Sequence, residues 1–179
     1  SFASASDEER RQKLHDYIKK VLISFRAVFS DIGELQLNVM FPNASGQLEI
    51  MHRFPEDVEY QANLALEAGQ GGAGVAFASG NLLYIPRVKY RHGVSIGMPP
   101  PGNSSGPITY NLKELVYVPT NAEPYRSILS APIHSATGVV GVLNIDARIN
   151  NPFADSEFET AQVAASFIAM ALDRYRTSS

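Results

Sequence analysis

"LEAGQGGAGVAFASGN", residues 66–81, sets Gly69, Gly71 and Gly74 at the spacing G-x-G-x-x-G. That spacing marks a turn that cradles a dinucleotide pyrophosphate, provided that three things surround it. A strand must precede it, a long helix must follow it, and an acid about 20 residues on must hold the ribose. None of the three is here. The preceding "YQANLALEA" is not a β run, and Gly80 stops the following helix within a few residues. Beyond it come Arg87, Lys89 and Arg91, and the next acid is Glu114. The glycines are read instead as a tight entry turn that lets a short helix sit close to a sheet, and NAD is not expected to bind.

The segments on either side give this short helix its neighbours. "NLLYIP" (81–86) is a strand closed by Pro86. Residues 126–134 and 138–147, "RSILSAPIH" and "GVVGVLNIDA", are β-rich runs joined by "SATG", the clearest hairpin in the chain. Upstream, "ELQLNVMF" alternates Leu35, Leu37, Val39 and Phe41 with polar residues, and "QLEIMHRF" follows after "PNASG", a second hairpin. Helices are expected at both ends. Leu14, Ile18, Val21, Phe25 and Val28 recur at spacings of four and three behind a cap at Ser6 or Asp7. Phe158, Ala161, Ala165, Ile168 and Leu172 do the same behind a capping box of Ser156 and Glu159. Residues 55–70 are ambiguous, with a short helix expected around Val58 to Leu66. Residues 87–125 read as a long loop with "MPPPGNSSGP" at its centre and a short element at "LKELVYVP".

Composition bounds the function. The 179 residues are 45% hydrophobic and 18% charged, an ordinary globular balance for one domain. A net charge of −3 argues against a nucleic-acid surface. The absence of Cys removes disulfides, thiolate metal sites and chromophores attached through sulfur. No apolar run reaches the roughly 20 residues of a membrane span, and no signal peptide is read. The opening "SFASASDEERRQ", without Met, is read as part of a longer, cytoplasmic protein.

Three blocks in order, "GQGGAGVAFASGNLLYIP", "YRSILSAPI" and "GVVGVLNID", followed by an amphipathic helix, resemble the GAF domain family from about Leu14 to Tyr175. The domain expected is 14–176, with a polar extension or linker at 1–13 and a tail at 177–179. The resemblance implies a GAF/PAS-like α+β fold. A central antiparallel sheet of five or six strands would carry the terminal helices on one face. Short helices and the long loop would enclose a small-molecule pocket on the other. It also implies a sensory or regulatory module that relays ligand binding to an attached output domain as a homodimer. The alternative is a dimerisation or interaction module with no ligand. The chain departs from the cyclic-nucleotide subtype, which has Asn-Lys where Asn144 is followed by Ile145. The bilin-attaching subtype and the GAF-type methionine sulfoxide reductases need Cys.

No catalytic residue, cofactor or metal site is expected. No nucleophile stands beside a base, no His or carboxylate pair has metal-ligand spacing, and His15 falls on a polar helix face. The enzyme reading is therefore set aside. Ligand-binding candidates come from strand parity and from the loop. Val142 and Asn144 share one face of their strand, and the more apolar Leu143 and Ile145 should meet the terminal helices. Ile128 and Ser130 join Val142 and Asn144 by the resemblance. Tyr84, Tyr90, Tyr117 and Tyr125 either line the pocket or pin the loop to the sheet. Arg87, with His92 nearby, either attracts an anion or belongs to a solvated basic loop. This surface is read as holding no buried acid to meet a cation, and a small planar or anionic metabolite is expected. For the dimer, Leu22 and Phe29 lie outside the stripe of the first helix and are read as its spare apolar surface.

Overall fold

The computed structural model describes residues 6–56, 64–91, 94–97, 108–111, 126–150 and 152–176; for 87–91, 94–97, 108–111 and 176 the description is of the backbone. The first helix, α1 (Asp7–Val28), begins where the pattern places it. Ser6 and Glu9 form a reciprocal capping box, Ser6 Oγ accepting from Glu9 N at 3.2 Å and Glu9 Oε2 from Ser6 N at 3.0 Å. Asp7, Glu8 and Glu9 in the first turn also face the positive end of the helix dipole. A 3-10 turn (Ser30–Ile32) leads into strands β1 (Leu35–Pro42) and β2 (Leu48–Phe54), the first expected hairpin, with a bulge at Val39/Met40.

Strand β3 (Ala65–Leu66) pairs with β2 through Leu48 and Glu49. This corrects the helix expected as far as Leu66: a two-residue bridge is too short to show a period. Residues 57–63 lie outside the described residues. The glycine stretch forms helix α2 (Gly71–Ser79), ended at Gly80. Strand β4 (Leu83–Ile85) follows. Then come β5 (Arg87–Arg91), β6 (Val94–Gly97) and β7 (Ile108–Asn111), a separate antiparallel sheet of three strands. The expected 87–125 loop is thus strand in part. Val88 and Tyr90, Val94 and Ile96, and Ile108 and Tyr110 alternate as β residues do, but the turn-forming run at 98–107 masks that signal. Residues 98–107 and 112–125, which include the "LKELVYVP" element, lie outside the described residues.

The closing hairpin is β8 (Ser127–Ser135) and β9 (Gly138–Ala147), and the chain ends in α3 (Asp155–Arg176). The acid that caps α3 is Glu157, not Glu159: its Oε2 accepts from Ala154 N at 2.7 Å, while Ser156 lies inside the helix. The main sheet is antiparallel in the order β3-β2-β1-β9-β8-β4. Its first and last long strands, β1 and β9, are central neighbours, running from Leu35↔Ala147 to Met40↔Val142.

One face of the sheet is covered by the terminal helices. Ile18, Leu22 and Phe25 of α1 and Ala161, Ala165, Ile168 and Leu172 of α3 pack on Leu37, Val39, Leu129, Ile133, Leu143 and Ile145. Leu143 and Ile145 point to the helices, as parity requires. Leu22 and Phe29 are buried in this core, so they are not spare surface. The exposed apolar residues of this side include instead Val28 (67%), Val163 (53%) and Phe167 (46%). They border a groove of about 340 Å³ between α1 and α3.

The opposite face carries α2 over Met40, Leu48, Leu83, Ile85 and Val142. The glycines permit this close seat. Gly71 has φ 64°, and a Cβ on Gly74 would stand 2.4 Å from the Glu67 carbonyl oxygen. Gly74→Ala therefore displaces backbone, and chemical denaturation should show a loss of more than about 1 kcal/mol.

His15 is exposed on the polar face of α1 and meets a second imidazole. Its ring lies 4.9 Å from that of His52 on β2, tilted by 42°, and His52 also meets Phe41 edge-on. Burial, and then His15, lower the His52 pKa from 6.5 to about 4, and its Nδ1 is buried with no hydrogen-bond partner. Lys19, Arg53 and Glu56 line the same depression, with Lys19 paired to Glu56. The unfolded chain protonates His52 near pH 6.5 and the folded chain only near 4. Between these values the unfolded state binds more protons, so stability falls as pH drops through that window. Thermal melts of wild type against His52→Phe from pH 7 to 4 should show this acid-side loss reduced in the variant.

Candidate functional site

The face under α2 continues into a polar row that crosses three strands. Register pairs Ser130 of β8 with Asn144 of β9, and Asn144 with Asn38 of β1. Ser130 Oγ donates to Asn144 Oδ1 at 2.7 Å, and Asn144 Nδ2 donates to Asn38 Oδ1 at 2.9 Å. All three residues are buried. Polar side chains at the centre of a sheet cost stability unless bonded, and a satisfied network of this kind holds each amide in one orientation.

The next row toward the ends of β1 and β9 pairs Ile128, Asp146 and Gln36. The row after it ends at the rim with Arg148 Nη1 2.8 Å from Glu34 Oε2. Asp146 is 5% exposed, and burial raises its carboxyl pKa from 3.8 to about 7. The reading that this surface holds no buried acid is therefore corrected. The signal was available in the sequence: Asp146 lies two residues beyond Asn144 and so shares its face.

The structure brings together Ile128, Ser130, Val142 and Asn144 among the expected ligand residues. It places Tyr84 elsewhere. The Tyr84 ring packs in the helix-side core against Phe153 and Phe158, and its hydroxyl oxygen accepts from Phe153 N at 3.3 Å. On the three-residue β4 the outer two side chains, Leu83 and Ile85, take the α2 face and leave Tyr84 the other. Arg87 and Tyr90 lie on β5. His92, Tyr117 and Tyr125 are outside the described residues.

Sequence reasoning also missed Asn38, whose place beside Asn144 depends on the pairing of β1 with β9. Glycine closeness adds to the same surface, because a Cβ on Gly72 would stand 3.1 Å from both Ile128 Cγ2 and Ser130 Oγ. At Gly72, helix α2 thus meets the floor with bare backbone, and its Ala73 and Ala76 pack in the cluster that holds Val142. Among the described residues no three or more His, Cys, Asp or Glu side chains gather as a metal set. No described helix is long and apolar enough to cross a membrane.

Solved structures share this architecture. A type II free methionine-R-sulfoxide reductase from Thermoplasma acidophilum is similar with TM-score 0.59 at 12% identity, over 90% of this chain and 96% of that one. The GAF domain of an Acinetobacter phosphoenolpyruvate-protein phosphotransferase gives 0.61 at 11%, over 92% and 95%. A methyl-accepting chemotaxis protein, residues 122 to 287, gives 0.60 at 13%, over 95% and 96%. At such identities the likeness is one of fold. It nevertheless overturns the expectation of a non-enzyme: a chain of this fold works as a reductase, so the fold gives no ground for setting catalysis aside. A search of curated proteins finds no match. The model of the GAF domain matches residues 20–172, and with the helix-flanked antiparallel sheet this shows that the chain belongs to the GAF domain family.

Proposed function

We propose that this chain is a sensory or regulatory module that binds a small molecule over the α2 side of the sheet and relays binding to an attached output domain. The observation that carries the reading is the buried row Ser130–Asn144–Asn38. It orders hydrogen-bonding side chains on a face where an apolar core would be simpler to build. The proposed floor is Ile128, Ser130, Val142 and Asn144, with Arg87, Tyr90, His92, Tyr117 and Tyr125 contributed from the segment after β4. Relay would run through β1 and β9, which carry the floor on one face and the terminal helices on the other.

Native mass spectrometry of freshly purified protein should show a retained small molecule. In thermal shift, a ligand at one hundred times its dissociation constant should add about 2.7 kcal/mol to wild type. The same ligand should add less to Asn144→Ala, each protein being compared with its own unliganded baseline. Equal stabilisation of both would place the ligand away from this row.

The second reading, an interaction module, draws on the apolar groove between α1 and α3. We propose a homodimer through these helices whether or not a ligand binds. Phe167→Glu replaces a half-exposed side chain, so the fold should persist. Light scattering should show a dimer for wild type and a monomer for the variant.

A further inference from the structure

We propose that the contact of His15 with His52 is an acid-released latch, which holds the first turns of α1 against strand β2 at neutral pH and frees them on acidification. The release stands apart from the small-molecule reading. It bears on that reading only because α1 is one of the helices packed on β1 and β9.

The hold on this end of α1 is thin. Ile18, Leu22 and Phe25 are its buried residues. Before Ile18 only Arg10, Leu14 and Tyr17 are even partly buried, and the remaining side chains are exposed. Leu14 packs at the margin of the helix-side core. A helical segment of this length is marginal in water unless it is packed. Two contacts tie it to β2 and its end. The rings of His15 and His52 lie 4.9 Å apart, and one turn on Lys19 pairs with Glu56.

The first contact suits neutral imidazoles only. A protonated His carries an N–H on both ring nitrogens and needs an acceptor for each. His52 Nδ1 is buried, and no partner reaches it among the described residues. While α1 stays in place, a proton there remains unbonded beside a second imidazole, which is costly. The other charges around the ring give no relief. Lys19 of α1 and Arg53 of β2 line the same depression. Of the acids, Glu56 is engaged with Lys19, Glu49 accepts from Asn43 Nδ2 at 2.6 Å, and Asp16 accepts from Gln12 Nε2 at 2.8 Å. Strands β1 and β3, the neighbours of β2, carry no charged side chain.

Freeing these turns uncovers the His52 ring and returns its pKa from about 4 toward 6.5. Between those values the freed state binds more protons than the docked state, so falling pH favours release. From pH 7 to pH 5 the opening equilibrium should rise up to about 20-fold. Ile18, fully buried, ends the released segment. The Lys19 ammonium bonded to Glu56 lowers that carboxyl from 4.5, so this pair still holds at pH 5. Opening is therefore local, confined to the turns before Ile18.

The test is amide hydrogen exchange of the 179-residue chain, followed by NMR at pH 7 and pH 5, with each rate divided by the intrinsic rate at its pH. Amides of residues 11–17 should be less protected than those of 21–28 at both pH values. Their protection should fall by up to about 20-fold on going to pH 5. In His52→Phe, which keeps a ring in place but cannot take a proton, that fall should disappear. Titration of the wild-type imidazole signals needs no variant and should show His52 protonating near 4. Protection of 11–17 equal to that of 21–28 means that the helix opens only with the whole protein, and it overturns the proposal. So does protection unchanged by acid, a fall that persists in His52→Phe, or a His52 that protonates near 6.5 while α1 stays protected.

Discussion

The structure depends on the antiparallel pairing of β1 with β9. These strands are separated by most of the chain, yet they lie together at the centre of the sheet. Their union sets the helices that flank them in sequence side by side on one face, where Ile18, Leu22 and Phe25 interlock with Ala161, Ala165, Ile168 and Leu172 over a shared apolar floor. Small side chains along α3 let it approach the sheet closely, so most of the burial that drives folding lies on this side. On the other face the same pairing brings Asn38 within hydrogen-bond reach of Asn144. One register therefore determines both the core and the polar floor. A slip of one residue would turn Leu37 and Val39 out of the core and the asparagines into it.

The two faces divide the work unequally. The helix side is apolar and continuous, and even its tyrosine, Tyr84, is enclosed among Phe153 and Phe158 with its hydroxyl accepting from a backbone amide. The α2 side is apolar only where the glycine-rich helix covers it. Beside and beyond that helix come the bonded amide row and then the buried carboxyl of Asp146. A protein of this size does not need such polarity to fold. Its concentration on one face, away from the main core, is what turns a fold assignment into a statement about ligand chemistry. The resemblance to a reductase and to signalling domains alike shows how much the architecture leaves open.

The sequence by itself determined the terminal helices, both long hairpins, the short glycine-rich helix and the face parity of β9, because each is written in local spacing. Leu143 and Ile145 meet the helices for the reason that parity states, and the glycines are there because Gly74 packs on the Glu67 carbonyl. Strands β5 to β7 stayed hidden behind the turn-forming residues between them. The tertiary structure alone decided what lies beside what. It placed Asn38 with Asn144, His15 against His52, Tyr84 in the core and Leu22 and Phe29 away from solvent. It also buried Asp146 on the polar face of the sheet. Periods of 2 and 3.6 residues report which way a side chain points. Partners far apart in the chain are set by strand order and register, which no local period encodes.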